Sequence, residues 1–154
     1  MKVFISGSIS IKTLPQIAKD KLNKIMAQNL SIIIGDANGV DALVQRYLSD
    51  VGYKNVLIYH VGNYFRNNIG NWQTVSVPTQ NLTGRALYTL KDKKMASDAD
   101  FGMMIWDGKS IGTKANIEEM SKLGKHFYVI QEENIFTDKD FTTNSVLQPE
   151  LFNV

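Results

Sequence analysis

The feature that most constrains the fold is a run of β-branched residues that ends at a glycine and leads into a helical pattern. Ile32–Gly35 has the composition of a buried strand, and Val40 begins a series of apolar residues at helical spacing. Asp36–Gly39 lies between them and predicts a tight turn. Such a turn leaves the first N–H groups of the helix unpaired. The stretch therefore predicts an anion-binding turn, most often for a phosphate.

The same order of strand and helix recurs along the chain. Short apolar runs predict strands at Lys2–Ser6, Ser31–Gly35, Asn55–Tyr59, Phe101–Trp106 and His126–Ile130. Apolar residues three and four positions apart predict helices over 13–29, 40–51, 83–97 and 113–123. Strands joined by helices through short connections pair in parallel. We predict an α/β fold, a single Rossmann-like domain whose mostly parallel sheet of about five strands is flanked by helices.

Two threonines are the predicted first residues of helices. Thr13 is followed by Pro15 and then by Gln16 three positions on, which is the pattern of a capping box. Thr113 precedes the fourth helical pattern, and its hydroxyl is suited to cap the first free amides. We expect both helices to begin at these side chains.

Two segments break the alternation. Residues 62–81 are rich in asparagine, and we interpret them as a long surface excursion that allows a short strand at Thr74–Val77. After Gln131 the apolar residues are spaced too irregularly to assign. We therefore divide the chain into a Rossmann-like domain over 1–130 and an extension over 131–154. The extension is expected to pack on the domain or on a partner subunit, and a homodimer is one expected assembly.

Composition narrows the classes of function. The 154 residues carry 17 basic and 15 acidic side chains, a balance that gives no argument for nucleic acid from net charge. With no cysteine and two histidines, neither thiolate chemistry nor a metal site is expected. No apolar stretch reaches the ~20 residues that cross a bilayer, and the N-terminal run is too short for a signal peptide. The expectation is a cytoplasmic protein without cofactor, metal or membrane partner.

Three predicted strands end in small or polar residues, at Gly7–Ser8, Gly35–Asp36 and Asp107–Gly108. Ligands of open parallel sheets lie outside the carboxyl ends of the strands, where the strand order reverses. We therefore expect these ends to converge on one crevice. Gly35 and Gly39 would let a ligand approach the backbone there, although glycines also end strands that bind nothing.

A second turn before a helix spans Asp107–Thr113. Gly112 and the free N–H groups behind Thr113 predict another anion cradle, to which Ser110 adds a hydroxyl. Asp107 either accepts a hydrogen bond from a ribose hydroxyl or fixes the loop by an Asx-turn.

Charged residues near these turns have two interpretations each. Asp36 and Asp41 are a candidate carboxylate pair for contact with the ligand. Asp36, at a strand end, is the better candidate, because the helix dipole alone also accounts for Asp41 in the first turn of a helix. The basic run Lys91–Lys94 is more often a solvated helix face than a nucleic-acid patch.

At these turns the chain resembles the SLOG superfamily, Rossmann-like nucleotide-binding proteins that include the lonely-guy phosphoribohydrolases and the Smf-type DNA-processing proteins. The resemblance covers residues 1–130 and rests on four pieces: Ser6–Ser8, Gly35–Asp41, Lys91–Asp100 and Trp106–Thr113. It implies that a nucleotide or nucleotide-derived ligand binds in the crevice, with its phosphate against the helix at Gly112–Thr113.

The chain departs from the superfamily at a position that the resemblance makes catalytic. Phosphoribohydrolases carry a glutamate after their glycine–threonine pair, and the position here is Asn116. An amide cannot act as a nucleophile or a general base. Glu118 and Glu119 do not substitute, because a helix turns about 100° per residue. The usual double glycine is also Gly35–Asp36 here.

These observations favour a nucleotide sensor or carrier with no assigned catalytic residue. The alternative is an enzyme that hydrolyses or transfers the N-glycosidic bond of a nucleotide, with Asp36, Asp41 or Asp107 supplying the carboxylate. A third, weaker expectation is single-stranded DNA binding through Lys91, Lys93 and Lys94. The predicted ligand-binding residues are Gly7, Ser8, Gly35, Asp36, Gly39, Asp41, Asp107, Gly108, Ser110, Gly112, Thr113 and Asn116.

Overall fold

Strands and helices alternate along the part of the chain that the computed structural model describes, residues 1–141. The strands are β1 (Lys2–Gly7), β2 (Ser31–Gly35), β3 (Val56–Val61), β4 (Gln73–Val77), β5 (Phe101–Ile105), β6 (His126–Gln131) and β7 (Asn134–Thr137). The helices are α1 (Gln16–Ala27), α2 (Val40–Asp50), α3 (Gly84–Asp98) and α4 (Ile111–Lys122), and a 3₁₀ turn covers Asp138–Phe141. Residues 142–154, most of the predicted extension, lie outside the described residues. No helix within 1–141 is long and apolar enough to cross a membrane.

The strands form one sheet in the order β4-β3-β2-β1-β5-β6-β7. Only the pair β6–β7 is antiparallel. The α/β class and the mostly parallel sheet of a single domain are therefore confirmed, with seven strands rather than about five. β4 corresponds to the short strand that was predicted at Thr74–Val77 within residues 62–81. β7 was missed because a four-residue edge strand with no fully buried residue leaves no clear apolar pattern.

The chain runs outward from β1 to β4 and then returns to place β5 on the other side of β1. The strand order therefore reverses between β1 and β5, and their carboxyl ends flank the point where ligands of such sheets bind. Ser8 and Asp107 are the first polar side chains beyond these two ends.

Both faces of the central strands are buried. In β1, Val3 and Ile5 belong to the core beneath α1 and α2, whereas Phe4 belongs to the core beneath α3 and α4. In β2 the same alternation separates Ile32 and Ile34 from Ile33. A strand with apolar residues on both sides reads as a continuous apolar run, which explains why these two strands were identified from sequence.

Two helix starts differ from the prediction. α1 begins at Gln16, and its first two amides, those of Gln16 and Ile17, donate to the carboxylate of Glu133 at 2.9 and 3.0 Å. Thr13 is therefore not the cap, because the turn between β6 and β7 supplies an acid from a distant part of the sequence. α4 begins at Ile111, so Thr113 lies inside the helix and not at its start.

A lysine satisfies the carboxyl end of α3. The Lys125 ammonium donates three hydrogen bonds, of 2.7, 2.8 and 2.6 Å, to the carbonyl oxygens of Ala96, Ser97 and Ala99. A cation at this position also opposes the negative end of the helix dipole.

Replacing Lys125 by methionine should therefore lower the free energy of unfolding by about 1–3 kcal/mol, because it leaves three carbonyl groups without their charged donor. The matched control is Lys93→Met on the exposed surface of α3, for which a change within about 0.5 kcal/mol is expected. Urea denaturation of both variants measures the difference. Equal stabilities would contradict this role of Lys125.

Candidate functional site

The carboxyl ends of β1 and β5 are joined at the point where the strand order reverses. The Ser8 amide donates to the Ile105 carbonyl at 3.0 Å, and the Asp107 amide donates to the Ser8 hydroxyl at 3.0 Å. These bonds hold the two loops that follow the strands side by side. The sequence prediction that Gly7–Ser8 and Asp107–Gly108 converge therefore agrees with this geometry.

Three hydroxyl groups meet at this point, and we call them the hydroxyl cluster: Ser8, Ser110 and Thr113. Ser110 donates to Thr113 at 2.8 Å, and Ser8 lies 2.9 Å from Ser110 and 3.3 Å from Thr113. Ser8 and Thr113 are buried, so the group is fixed by packing as well as by hydrogen bonds. Ser110 is the one member of the cluster that is partly exposed, and its hydroxyl can rotate away from Thr113 to donate to an anion placed beside it.

Asp107 organises its own loop. One carboxylate oxygen accepts from the amides of Lys109 and Ser110 at 2.8 and 2.7 Å, and the other accepts from the Ser10 hydroxyl at 2.6 Å. Burial raises the pKa of Asp107, but these hydrogen bonds outweigh it and the net pKa is lowered. Gly108 has φ +81°, a left-handed conformation that suits glycine. The sequence allowed two roles for Asp107, contact with a ribose hydroxyl or fixing its own loop, and this geometry is the second.

The amino end of α4 is open beside the hydroxyl cluster. Within residues 1–141, the amides of Ile111, Gly112 and Thr113 have no hydrogen-bond acceptor, and the first bonded amide is that of Lys114, to the Ser110 carbonyl at 3.2 Å. A Cβ atom built on Gly112 would meet no atom within 4 Å. The positive end of the α4 dipole therefore faces free space.

The first glycine turn, by contrast, is filled by the protein itself. A Cβ atom on Gly35 would lie 2.7 Å from an Asp41 carboxylate oxygen and 3.0 Å from the Lys91 ammonium. Gly39 has φ +75°, and its Cβ would lie 2.4 Å from Cα of Ile9. We expected both glycines to admit a ligand. The structure instead uses this space for two charged side chains and for the loop after β1.

Two amides of this turn also have acceptors. The Val40 amide donates to the Ser8 carbonyl at 3.3 Å, and the Ala37 amide donates to the Asp41 carboxylate at 3.1 Å. The amino end of α2 is therefore partly capped by its own chain, unlike that of α4.

Asp36 is the centre of an ion network in which Asp36 and Lys91 are buried and Arg66 is partly exposed. One carboxylate oxygen accepts from the Lys91 ammonium at 3.0 Å and from the Arg66 guanidinium at 2.9 Å, and the other accepts from the Arg66 amide at 2.8 Å. Burial raises the pKa of Asp36, but the hydrogen bonds from Arg66 and the charge of Lys91 prevail and lower it to about 2. Asp36 is only 2% exposed and is saturated by protein donors.

The excursion after β3 is anchored to this network. The Asn67 amide group donates to the carbonyls of Asp36 and Ala37 at 2.9 and 3.2 Å, and the Ile69 amide donates to Gln45 on α2 at 2.9 Å. Sequence reasoning missed Arg66. The available signal was that it is the only charged residue between 61 and 84.

Lys91 lies inside the protein. Its side chain is 4% exposed, whereas Lys94 is exposed and pairs with Asp98 at 3.1 Å. Both interpretations of the basic run treated Lys91 as a surface residue, and both are wrong for it. The ammonium also lies 5.5 Å from the centre of the Tyr88 ring, which in turn packs against the Arg66 guanidinium at 4.6 Å.

Asp41 and Asp92 complete a group that we call the charge cluster: Asp36, Asp41, Asp92, Arg66 and Lys91. Burial raises the pKa of Asp41 to about 7 against the opposing charge of Lys91. Burial likewise raises the pKa of Asp92 to about 6, against the opposing effects of Lys91 and of the Asn116 side chain. The cluster has three carboxyl groups and two cations, so ionising all of them leaves an excess negative charge in a poorly hydrated place.

Asn116 contacts both the carboxyl end of β1 and the charge cluster. Its side-chain amide donates to the Ser6 hydroxyl at 3.0 Å, at the carboxyl end of β1, and also interacts with the Asp92 carboxyl. The twelve predicted residues therefore fall into two adjacent groups, one around the hydroxyl cluster and one around Asp36, with Asn116 between them. Sequence reasoning missed Ser6 as a contact, and it missed Asp92.

Within residues 1–141, no three His, Asp or Glu side chains are arranged to hold a metal ion.

Comparison of the chain with models of known protein families and with curated protein sequences found no match in either case.

The charge cluster predicts how stability depends on pH. Because the pKa of Asp41 is about 7 in the folded protein and 3.8 ordinarily, the folded state binds more protons than the unfolded state between these values. The Asp41 contribution to the free energy of unfolding should therefore fall as pH rises from about 4 to about 7, by up to about 1.4 kcal/mol per pH unit.

Asp41→Asn should remove this fall, because asparagine can still accept from the Ala37 amide but does not titrate. Its stability relative to the wild type should rise with pH across the same window in urea denaturation. Asp50→Asn, an exposed position on α2, is the control and should follow the wild type. Parallel curves for Asp41→Asn and the wild type would contradict a raised Asp41 pKa.

Proposed function

We propose that this chain binds a nucleotide or nucleotide-derived ligand, as a sensor or carrier, in the crevice between the carboxyl ends of β1 and β5. The observation that carries the proposal is the open amino end of α4. Three amides without acceptors among the described residues lie there beside three hydroxyl groups. A phosphate supplies the acceptor oxygens and the negative charge that such a place stabilises.

The surroundings support a ligand that is more than a phosphate. Asn116 lies one helical turn after Thr113 and contacts both Ser6 and Asp92, so an amide oxygen and a carboxyl group are present near the hydroxyl cluster. Sugar hydroxyls and base amino groups donate to such acceptors. The resemblance to the SLOG superfamily points to the same ligand class and to the same wall at Gly112–Thr113.

Gly112→Val should weaken nucleotide binding by about tenfold or more, because its side chain would occupy the free space in front of the α4 amides. Calorimetry with a panel of mononucleotides, dinucleotides and cyclic nucleotides measures the affinity. Glu118→Val, which places the same side chain on the exposed face of α4, is the control and should bind as the wild type does. Absence of heat with every nucleotide of the panel would count decisively against the proposal.

A second candidate function is cleavage of the N-glycosidic bond of a nucleotide, and the position of Asp92 favours it. Asp36 is held as an ion pair with a pKa of about 2, and the Asp107 oxygens are bonded to their own loop and to Ser10. The Asp92 carboxyl also accepts a hydrogen bond, from the Asn116 side chain, but burial raises its pKa to about 6, so it exchanges a proton closer to neutral pH than Asp36 or Asp107 does. In the reaction, Asp92 takes a proton from the water whose oxygen bonds to C1′ of the sugar. The C1′–N bond breaks, and the base leaves with its electron pair and takes up that proton.

Asp92→Asn should then reduce base release from a nucleoside monophosphate by about 100-fold or more, while nucleotide binding persists. Chromatography of the released base measures the rate, and calorimetry on the same samples measures binding. If the wild type binds the nucleotides but releases no base from any of them, the carrier function stands and the enzymatic one falls.

The expectation of single-stranded DNA binding loses its basis. It needed Lys91, Lys93 and Lys94 on one surface, and Lys91 is buried against Asp36 while Lys94 is paired with Asp98.

A further inference from the structure

The sheet has one unprotected edge. β4 ends the sheet, and within residues 1–141 its outer backbone groups face no other strand. Gln73, Thr74 and Ser76 are exposed, so no helix or loop of the described chain covers the middle of this edge. The free N–H and C=O groups of an exposed edge strand are a template for pairing with another chain.

The opposite edge differs in the charge around it. β7 is only one residue shorter than β4, but charged residues flank it on both sides, namely Glu132, Glu133, Asp138, Lys139 and Asp140. Charge is one of the usual means of protecting an edge. β4 contains neither a charge nor a proline, since Pro78 comes after its last residue.

The lack of charge extends well beyond β4. Residues 67–84 contain no Asp, Glu, Lys, Arg or His, and no other uncharged run in the sequence is as long. Most of this run after β4 is exposed, including Leu82. The loop after the adjacent strand β3 also exposes Tyr64 and Phe65, at 86% and 50%. Exposed apolar side chains and missing charge on one side of a molecule are typical of a protein interface.

We propose that β4 pairs antiparallel with β4 of a second copy of this chain, so that the two sheets join across a two-fold axis. A two-fold contact brings each segment against itself, so a charged residue near the axis would meet an identical charge. The uncharged run 67–84 avoids this repulsion, which is why a second copy fits this surface. Threonine, valine and serine in β4 are also small enough for close pairing, and Thr and Val favour strands.

Pairing along the full length of both β4 strands fixes the register between them. Val75 is the middle residue of β4, so it lies on the axis, and Thr74 lies opposite Ser76 of the partner subunit. Both side chains are exposed in the single chain. Charges can therefore be introduced at these two positions without disturbing the core.

The test compares two double variants that differ in one side chain. In Thr74→Lys with Ser76→Lys, each lysine faces a lysine across the axis. In Thr74→Lys with Ser76→Glu, each lysine faces a glutamate. Analytical ultracentrifugation of the full chain measures the dimer dissociation constant, and circular dichroism with thermal unfolding verifies that both variants are folded.

The wild type is expected to sediment as a dimer of the 17.3 kDa chain. The lysine–lysine variant should dissociate at least about tenfold more readily than the lysine–glutamate variant. A monomeric wild type overturns the proposal. A dimer that persists equally in both variants assigns the interface to another surface, and equal loss in both contradicts the β4 register. None of these outcomes depends on nucleotide binding, so the proposed function is tested separately.

Discussion

The ion network around Asp36 joins three parts of the chain that the sheet alone would leave apart. Asp36 follows β2, Arg66 belongs to the excursion after β3, and Lys91 comes from α3, the helix that crosses from the sheet edge to its centre. A buried carboxylate with no partner would be strongly unfavourable, so each cation is held in place by the need to neutralise it. The excursion is thereby fixed over the ends of β2 and β3, and α3 is fixed with its basic side chain facing inward.

The regular part of the fold could be predicted from sequence because it is encoded locally. Strands buried on both faces appear as apolar runs, and helices appear as apolar residues at three- and four-residue spacing. What could not be predicted depends on residues that are distant in sequence. Glu133 replaces Thr13 as the acceptor for α1, and nothing near Thr13 indicates it. Lys91 looks like its neighbours in sequence, and it is buried only because Asp36 lies across from it.

The candidate site shows the same division. Sequence identified two glycine turns before helices and could not distinguish them, since both have the composition of an anion cradle. They differ in whether other parts of the protein fill them. Beside Gly35 and Gly39 the space is occupied by Asp41, Lys91 and Ile9, whereas beside Gly112 it is open. A glycine can make room for the protein's own atoms as well as for a ligand, and only the tertiary structure determines which.

The two walls of the crevice consequently differ in chemistry. The α4 wall presents N–H and O–H groups together with the positive end of a helix dipole, and it suits an anion. In the charge cluster both cations are already paired with Asp36, and the raised pKa values of Asp41 and Asp92 let these carboxyl groups take up protons near neutral pH, so the cluster offers no free donor to an anion. In the proposed complex the anionic end of the ligand lies at α4, and its hydroxyl or amino groups lie toward Asp92. Nucleotides have this distribution, so the polarity of the site supports the same ligand class that the open helix end does.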